Sequence, residues 1–212
     1  MKTWFCAAFV VVALSAPAQV IKIACIGDSI TAGANVDTPT INAYPVVLGR
    51  LLGTNYVASN FGVSGTTLLR KGDSPYWNQS AFQQATNYKP NIVTIMLGTN
   101  DSKPQNWAYR DQFAGDLSAM IDLFANLPSH PRVLICLPVP AYGIVSGITP
   151  DIIKNEVIPL IKQVAKSKGI MTIDLYSALS GRPDLFSDNI HPTAAGAALI
   201  ARTLHAAVLA GN

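Results

Sequence analysis

Five short runs of apolar, β-branched residues punctuate the chain beyond position 19, at 20–26, 56–60, 92–97, 133–137 and 170–174. Most are continuously apolar and lack the alternation of a strand with one wet face, so they predict strands buried on both sides. Helical spacing of apolar positions marks 44–52, 80–88, 109–126 and 151–168 between them, and a last stretch, 193–209, follows the fifth run. Strand–helix alternation of this kind predicts an α/β fold: a parallel sheet with right-handed crossovers and helices on both faces. No repeat, low-complexity tract or linker interrupts the pattern, so residues 19–212 read as one domain.

In an open parallel sheet, ligands collect beyond the carboxyl ends of the strands. Polar, turn-forming residues follow these strands in this chain. Gly27-Asp28-Ser29 comes after the first, Gly62-Val63-Ser64-Gly65-Thr66 after the second, and Gly98-Thr99-Asn100-Asp101 after the third. Asp188-Asn189-Ile190-His191-Pro192 lies beyond the fifth, before the last helix. The topology therefore gathers this set at one edge of the sheet.

The set has the makings of acyl transfer. Ser29 sits at a strand-to-helix turn, where a lone serine is usually only a cap. A base changes that reading. His191 follows Asp188 by three residues, and on a tight turn the carboxylate reaches Nδ1, fixing the tautomer and leaving Nε2 free to take a proton from Ser29. His130, in a loop before the fourth strand, and His205, in the last helix, have no acid at useful spacing and read as structural. The developing oxyanion needs donors, for which the Ser29 N–H, the Gly65 N–H and the Asn100 carboxamide are candidates. An α/β-hydrolase elbow is excluded, because Thr31 occupies its second glycine position. A phosphate-binding loop is absent, since no Gly-Lys-Ser/Thr follows a glycine-rich turn.

Ile26-Gly27-Asp28-Ser29 with Gly33, Asn60 through Gly65, Gly98 through Asp101, and Asp188 through Pro192 resemble the four blocks of the SGNH (GDSL) hydrolases. All four occur in family order across nearly the whole of residues 19–212. The resemblance implies a flavodoxin-like three-layer α/β/α sandwich with a five-stranded parallel sheet. It implies Ser29 as nucleophile, His191 as base and Asp188 as orienting acid, with Ser29, Gly65 and Asn100 as the oxyanion hole and no metal or organic cofactor. Gly62 competes with Gly65 for the glycine role. Asp28 and Asp101 are expected to hold the site together by accepting backbone hydrogen bonds. Within the family, 60–69, the Gly72 to Trp77 segment and 98–107 look most like bacterial sialate O-acetylesterase-type and related carbohydrate acetylesterases.

Composition narrows the setting. Half of the 212 residues are hydrophobic and 13% are charged, which excludes a disordered chain. A scattered net charge of +3 gives no basic surface for nucleic acid. Lys2, an apolar run from Trp4 to Leu14 and Ala16-Pro17-Ala18 read as a secretory signal cleaved after Ala18, making the protein secreted or periplasmic without stable membrane insertion. Cys25 and Cys136 lie inside apolar strand-like runs and read as buried free thiols.

The expected partner is a small-molecule or oligosaccharide ester. Tyr76, Trp77 and Trp107, with Tyr109, follow the site blocks and are candidate sugar-stacking faces, against the reading that they are packing residues. Arg70, Lys71 and Lys103 are candidate contacts to a carboxylated sugar, against the reading that they are solvated. No long apolar lid suits a lipid chain. Short acyl esters of sugars therefore rank ahead of lysophospholipid, thioester or aryl ester hydrolysis, and ahead of a non-catalytic carbohydrate-binding module.

Overall fold

A computed structural model describes residues 19–210; the expected signal segment, residues 1–18, lies outside the described residues. The strands β1 (Ile21–Gly27), β2 (Tyr56–Gly62), β3 (Ile92–Met96), β4 (Arg132–Cys136) and β5 (Thr172–Ile173) form one parallel sheet in the order β2-β1-β3-β4-β5. This is the flavodoxin-like order, and its direction of travel reverses beside β1. The loops leaving β1 and β3 therefore diverge to opposite faces and open a crevice at that point.

Alternate side chains of β1 feed two cores, which is why its sequence is apolar from Ile23 to Ile26. Ile23 and Cys25 pack on one face with α2 (Tyr44–Leu52) and α6 (Ala194–Leu209), against Tyr44, Leu48, Ile200 and Leu204. Ala24 and Ile26 pack on the other, with α3 (Ser80–Asn87), α4 (Phe113–Ala125) and α5 (Ile158–Ser167), against Ala85, Phe113, Met120, Phe124 and Ile161. A single turn of helix, α1 (Ser29–Ala32), leaves β1. Cys25 and Cys136 are buried and free, on β1 and β4 with β3 between them. Two strand spacings, roughly 10 Å, exceed the reach of a disulfide.

The elements depart from the pattern at three places, two of them with evident local causes. The fifth strand, expected over 170–174, shrinks to Thr172–Ile173. Ile170 N–H caps the preceding helix on Ala165 O, with Gly169 N–H on Lys166 O, and Asp174 accepts the Ser177 N–H as N-cap of the next helical turn. The stretch 151–168 is helical but widens into a π turn over Ile153–Val157. Pro159 has no N–H to donate four residues back and its ring crowds the Asn155 carbonyl, which the wider turn relieves. The 109–126 stretch begins as a 3-10 turn, Arg110–Gln112, before α4.

Candidate active site

Ser29 heads α1 directly after β1 and is 8% exposed. Asp28 caps the turn by accepting the Ile30 N–H at 3.0 Å. As a first-turn residue, Ser29 has a backbone N–H with no acceptor inside the helix. The base arrives from the far end of the chain. His191 Nε2 lies 2.9 Å from Ser29 Oγ, and His191 Nδ1 lies 2.7 Å from Asp188 Oδ2.

The turn that carries this pair is rigidly made. Asp188 Oδ1 accepts the N–H groups of Ile190, at 3.0 Å, and His191, at 2.7 Å. Ser187 N–H closes the turn on His191 O at 2.9 Å, and Asn189 O accepts the Tyr142 N–H at 2.8 Å. Partial burial raises the Asp188 pKa, but the bonds from the His191 ring and from the His191 and Ile190 N–H groups outweigh it, so the carboxyl sits below its ordinary value. It is therefore an anion facing Nδ1, which makes Nδ1 the protonated nitrogen and Nε2 the acceptor for the Ser29 hydroxyl proton.

A cavity of about 300 Å³ opens over this array. Gly65 and Asn100 line it together with Ser29 and His191. Asn100 is 4% exposed and its Nδ2 donates one hydrogen to Thr66 O at 3.1 Å, tying the β3 loop to the loop that holds Gly65. Gly65 has φ +81°, and a Cβ built there meets nothing within 4 Å. Gly62 is differently placed. Its N–H is given to Asn60 Oδ1 at 2.9 Å, and it packs against α1 outside the cavity lining. The β2 loop therefore offers Gly65, and not Gly62, to a ligand above Ser29.

Two buried carboxyls underlie the loops. Asp101 accepts the N–H groups of Leu68, at 3.0 Å, and Leu69, at 2.8 Å, and burial pushes its pKa up to about 7 against those bonds. Burial likewise pushes Asp28 up to about 6, opposed by the Ile30 N–H, the Thr99 hydroxyl and the His191 charge. Both positions brace the site, as their backbone partners require.

The aromatic candidates do not reach the cavity. Tyr76 is fully buried and its hydroxyl donates to Phe61 O at 2.6 Å. Trp107 is 4% exposed, with Nε1 on Glu156 Oε2 and its ring edge-on to Phe113. Trp77 gives its Nε1 hydrogen to Leu68 O, packs on Phe82 and lies under the Arg70 guanidinium, 3.8 Å from the ring centroid. Tyr76, Trp77 and Trp107, the expected sugar-stacking faces, are therefore absent from the lining of this cavity. Each ring is spent on packing, and its polar atom is already satisfied within the fold.

Of the three cations considered, Arg70 pairs with Asp116, Lys71 stands over Tyr109, and Lys103 lines the cavity with its ammonium 3.7 Å from Asp73. The apolar part of the lining comes from Ala34, Val145, Ile148 and Ile190. Val145 and Ile148 belong to the loop after β4, where the sequence carries no motif. The rule that ligands sit beyond strand C-termini could have found it. Asn35, which donates to Asp188 Oδ2 at 2.8 Å, was also missed, and only the folded turn brings it there. A larger cleft, about 650 Å³, lies where β4 begins, among Ile121, Arg132, Lys168 and Met171. Its lining holds no nucleophile paired with a base.

Known proteins resemble this chain along most of its length. The profile of the GDSL-like Lipase/Acylhydrolase family matches residues 25–199. Over 206 residues the chain is 39% identical to an acetylxylan esterase of Xylanibacter ruminicola, a match covering 89% of this chain and 43% of that protein. The chain thus spans less than half the length of the curated relative it matches. In fold it is similar to a carbohydrate acetylesterase from Sinorhizobium meliloti, with TM-score 0.73 at 19% identity over 91% of this chain and 100% of the other. It is also similar in fold to the M. smegmatis aryl esterase, with TM-score 0.71 at 21% identity over 90% and 99% of the two chains. With its sequence matched along most of its length, the chain belongs to the GDSL-like lipase/acylhydrolase family.

Proposed function

We propose that the chain removes short acyl groups, chiefly acetate, from carbohydrate esters through a covalent intermediate on Ser29. One observation carries the reading: His191 Nε2 stands 2.9 Å from Ser29 Oγ while Asp188 holds the other ring nitrogen, under a cavity walled by Gly65 and Asn100. Ser29 attacks the ester carbonyl as His191 takes its proton, and Asp188 stabilises the imidazolium without itself being protonated. The N–H groups of Ser29 and Gly65 and the second Asn100 amide hydrogen stabilise the oxyanion, each contributing about 3–4 kcal/mol in favourable cases. The alcohol departs with the proton from His191, and water then repeats the cycle on the acyl-enzyme.

The acetyl and carbohydrate parts of the reading rest on the cavity and on the acetylxylan esterase relative. About 300 Å³ accommodates a small acyl group and part of one sugar, and its short apolar wall gives little cover to a long alkyl chain. Export with cleavage after Ala18 belongs to the same proposal.

Protein recovered from the medium or periplasm of an expressing bacterium should begin at Gln19 and hydrolyse p-nitrophenyl acetate. Ser29→Ala should retain the fold and lose at least roughly a thousandfold in kcat/KM. Acetate release from acetylated xylo-oligosaccharides, acetylated sialic acids and simple acetylated sugars, beside a lysophospholipid control, then ranks substrates. Equal rates for wild type and Ser29→Ala would overturn the esterase reading. Preference for the lysophospholipid would overturn the carbohydrate assignment alone.

A further inference from the structure

We propose that Asn35 is a positioning residue of this site, clamping the turn that carries the acid and base to the segment that carries the nucleophile. The proposal rests on the triad reading above. Asp188 Oδ1 is held within its own turn, by N–H groups two and three residues away. Its Oδ2 accepts the His191 ring, and it accepts Asn35 Nδ2 at 2.8 Å across 153 positions of sequence. Among the described residues, Asn35 is the one hydrogen-bond donor to Asp188 from outside that turn.

Asn35 is itself hung from the nucleophile. Ser29 O accepts the N–H groups of both Gly33 and Ala34, at 3.0 and 2.9 Å, so the backbone reaching Asn35 is referred to the residue that attacks. Asn35 has φ +60°, in the left-handed region that asparagine tolerates better than other side-chain-bearing residues. That conformation lets a carboxamide six residues past Ser29 turn back onto Asp188. Ser29 and His191 lie 162 residues apart. Their 2.9 Å approach depends on two independent loops, and the Asn35 bond is a direct tie between them.

An amide suits this position for its neutrality. It fills a lone pair on Oδ2 without adding charge beside the imidazole. Nδ2 is 3.5 Å from His191 Nδ1, and since both are donors they exchange no proton. The charged or titratable groups around His191 are Asp188, Asp28 and, in the same cavity lining, Lys103. A carboxylate in place of Asn35 would add a second anion next to Nδ1, favour the imidazolium and compete for its proton. Asn35 is exposed, so its removal should cost little stability.

The test uses Asn35→Gly, Asn35→Ala and Asn35→Asp in the full chain, with kcat and KM for p-nitrophenyl acetate measured across pH. Asn35→Gly tolerates the left-handed backbone and deletes the side chain with its carboxamide. It and Asn35→Ala should lower kcat by about ten- to a hundredfold with little change in KM, the size expected for a misplaced base. Asn35→Asp should move the acid limb of the profile upward by about one pH unit. In parallel, the downfield proton resonance of the His191 ring N–H, assigned by its loss in His191→Gln, should broaden or vanish in Asn35→Gly. Wild-type kcat in Asn35→Gly, or an unchanged resonance, would overturn the clamp. The resonance needs no turnover, so it decides the clamp even where Ser29→Ala has shown that the esterase reading fails.

Discussion

Gly65 has open space where a side chain would stand and a backbone angle that other residues resist. The two facts point to one use: the main chain is exposed toward the cavity so that a ligand can lie against its N–H. In Gly65→Ala the methyl group would project into that space from a left-handed conformation. The substitution should cost about 1–2 kcal/mol of stability and, by displacing the oxyanion, lower kcat by more than about tenfold. Thermal melts and steady-state kinetics measure the two effects separately, and a loss of stability with full turnover would remove Gly65 from the oxyanion site. At this scale, the meeting of Ser29, Asp188 and His191 was legible because such residues at such spacing have few other uses. The aromatic residues were not, because nothing in Tyr76, Trp77 or Trp107 as letters distinguishes a ring with its polar atom satisfied in the fold from one facing a sugar. Asn35 was invisible for a related reason: its role lies in the return of a turn, and no local pattern encodes that.

The elements meet at close quarters where β2 passes α1. A Cβ on Gly62 would lie 2.2 Å from Ala32 N and 2.6 Å from Thr31 C, both main-chain atoms. Neither can yield as a flexible side chain would. Gly62→Ala should therefore push α1 away from the sheet, costing about 1–3 kcal/mol or more in a denaturant titration and dislodging Ser29 with it. A variant as stable and active as wild type would show that the packing there is looser. The strands were readable as short, continuously apolar, β-branched runs, and the long helices from the period of their apolar positions. Their ends were less so. The fifth strand is cut short because its flanking residues cap neighbouring helices, and the π turn before α5 answers a proline four residues beyond the carbonyl it crowds. Such competition for backbone groups is decided by neighbours in space.

Across the whole molecule, two carboxyls spend their ionisation against the fold. Burial raises Asp28 to about 6 and Asp101 to about 7 from an ordinary value of 3.8. The folded chain thus keeps protons that the unfolded chain releases. The associated stability is complete below about pH 4 and is lost as pH rises through the folded values, at about 1.4 kcal/mol per unit of displacement. Asp188 acts in the opposite sense, its stabilisation vanishing as pH falls through the lower carboxylate range. The thermal midpoint should therefore be higher near pH 5 than at pH 8, and Asp101→Asn should flatten that slope. A midpoint that climbs from pH 5 to pH 8 would mean that the backbone N–H groups keep these carboxyls ionised despite their burial.

The 162 positions between nucleophile and base have a kinetic corollary. No fragment holding only one of them can turn over an ester by the proposed route, and no partly assembled sheet aligns both. Cleavage of a chromogenic acetate during refolding would thus register only molecules whose first and last loops have met. A colour change becomes a clock for completion of the topology, lagging any signal that helices or local collapse produce on their own.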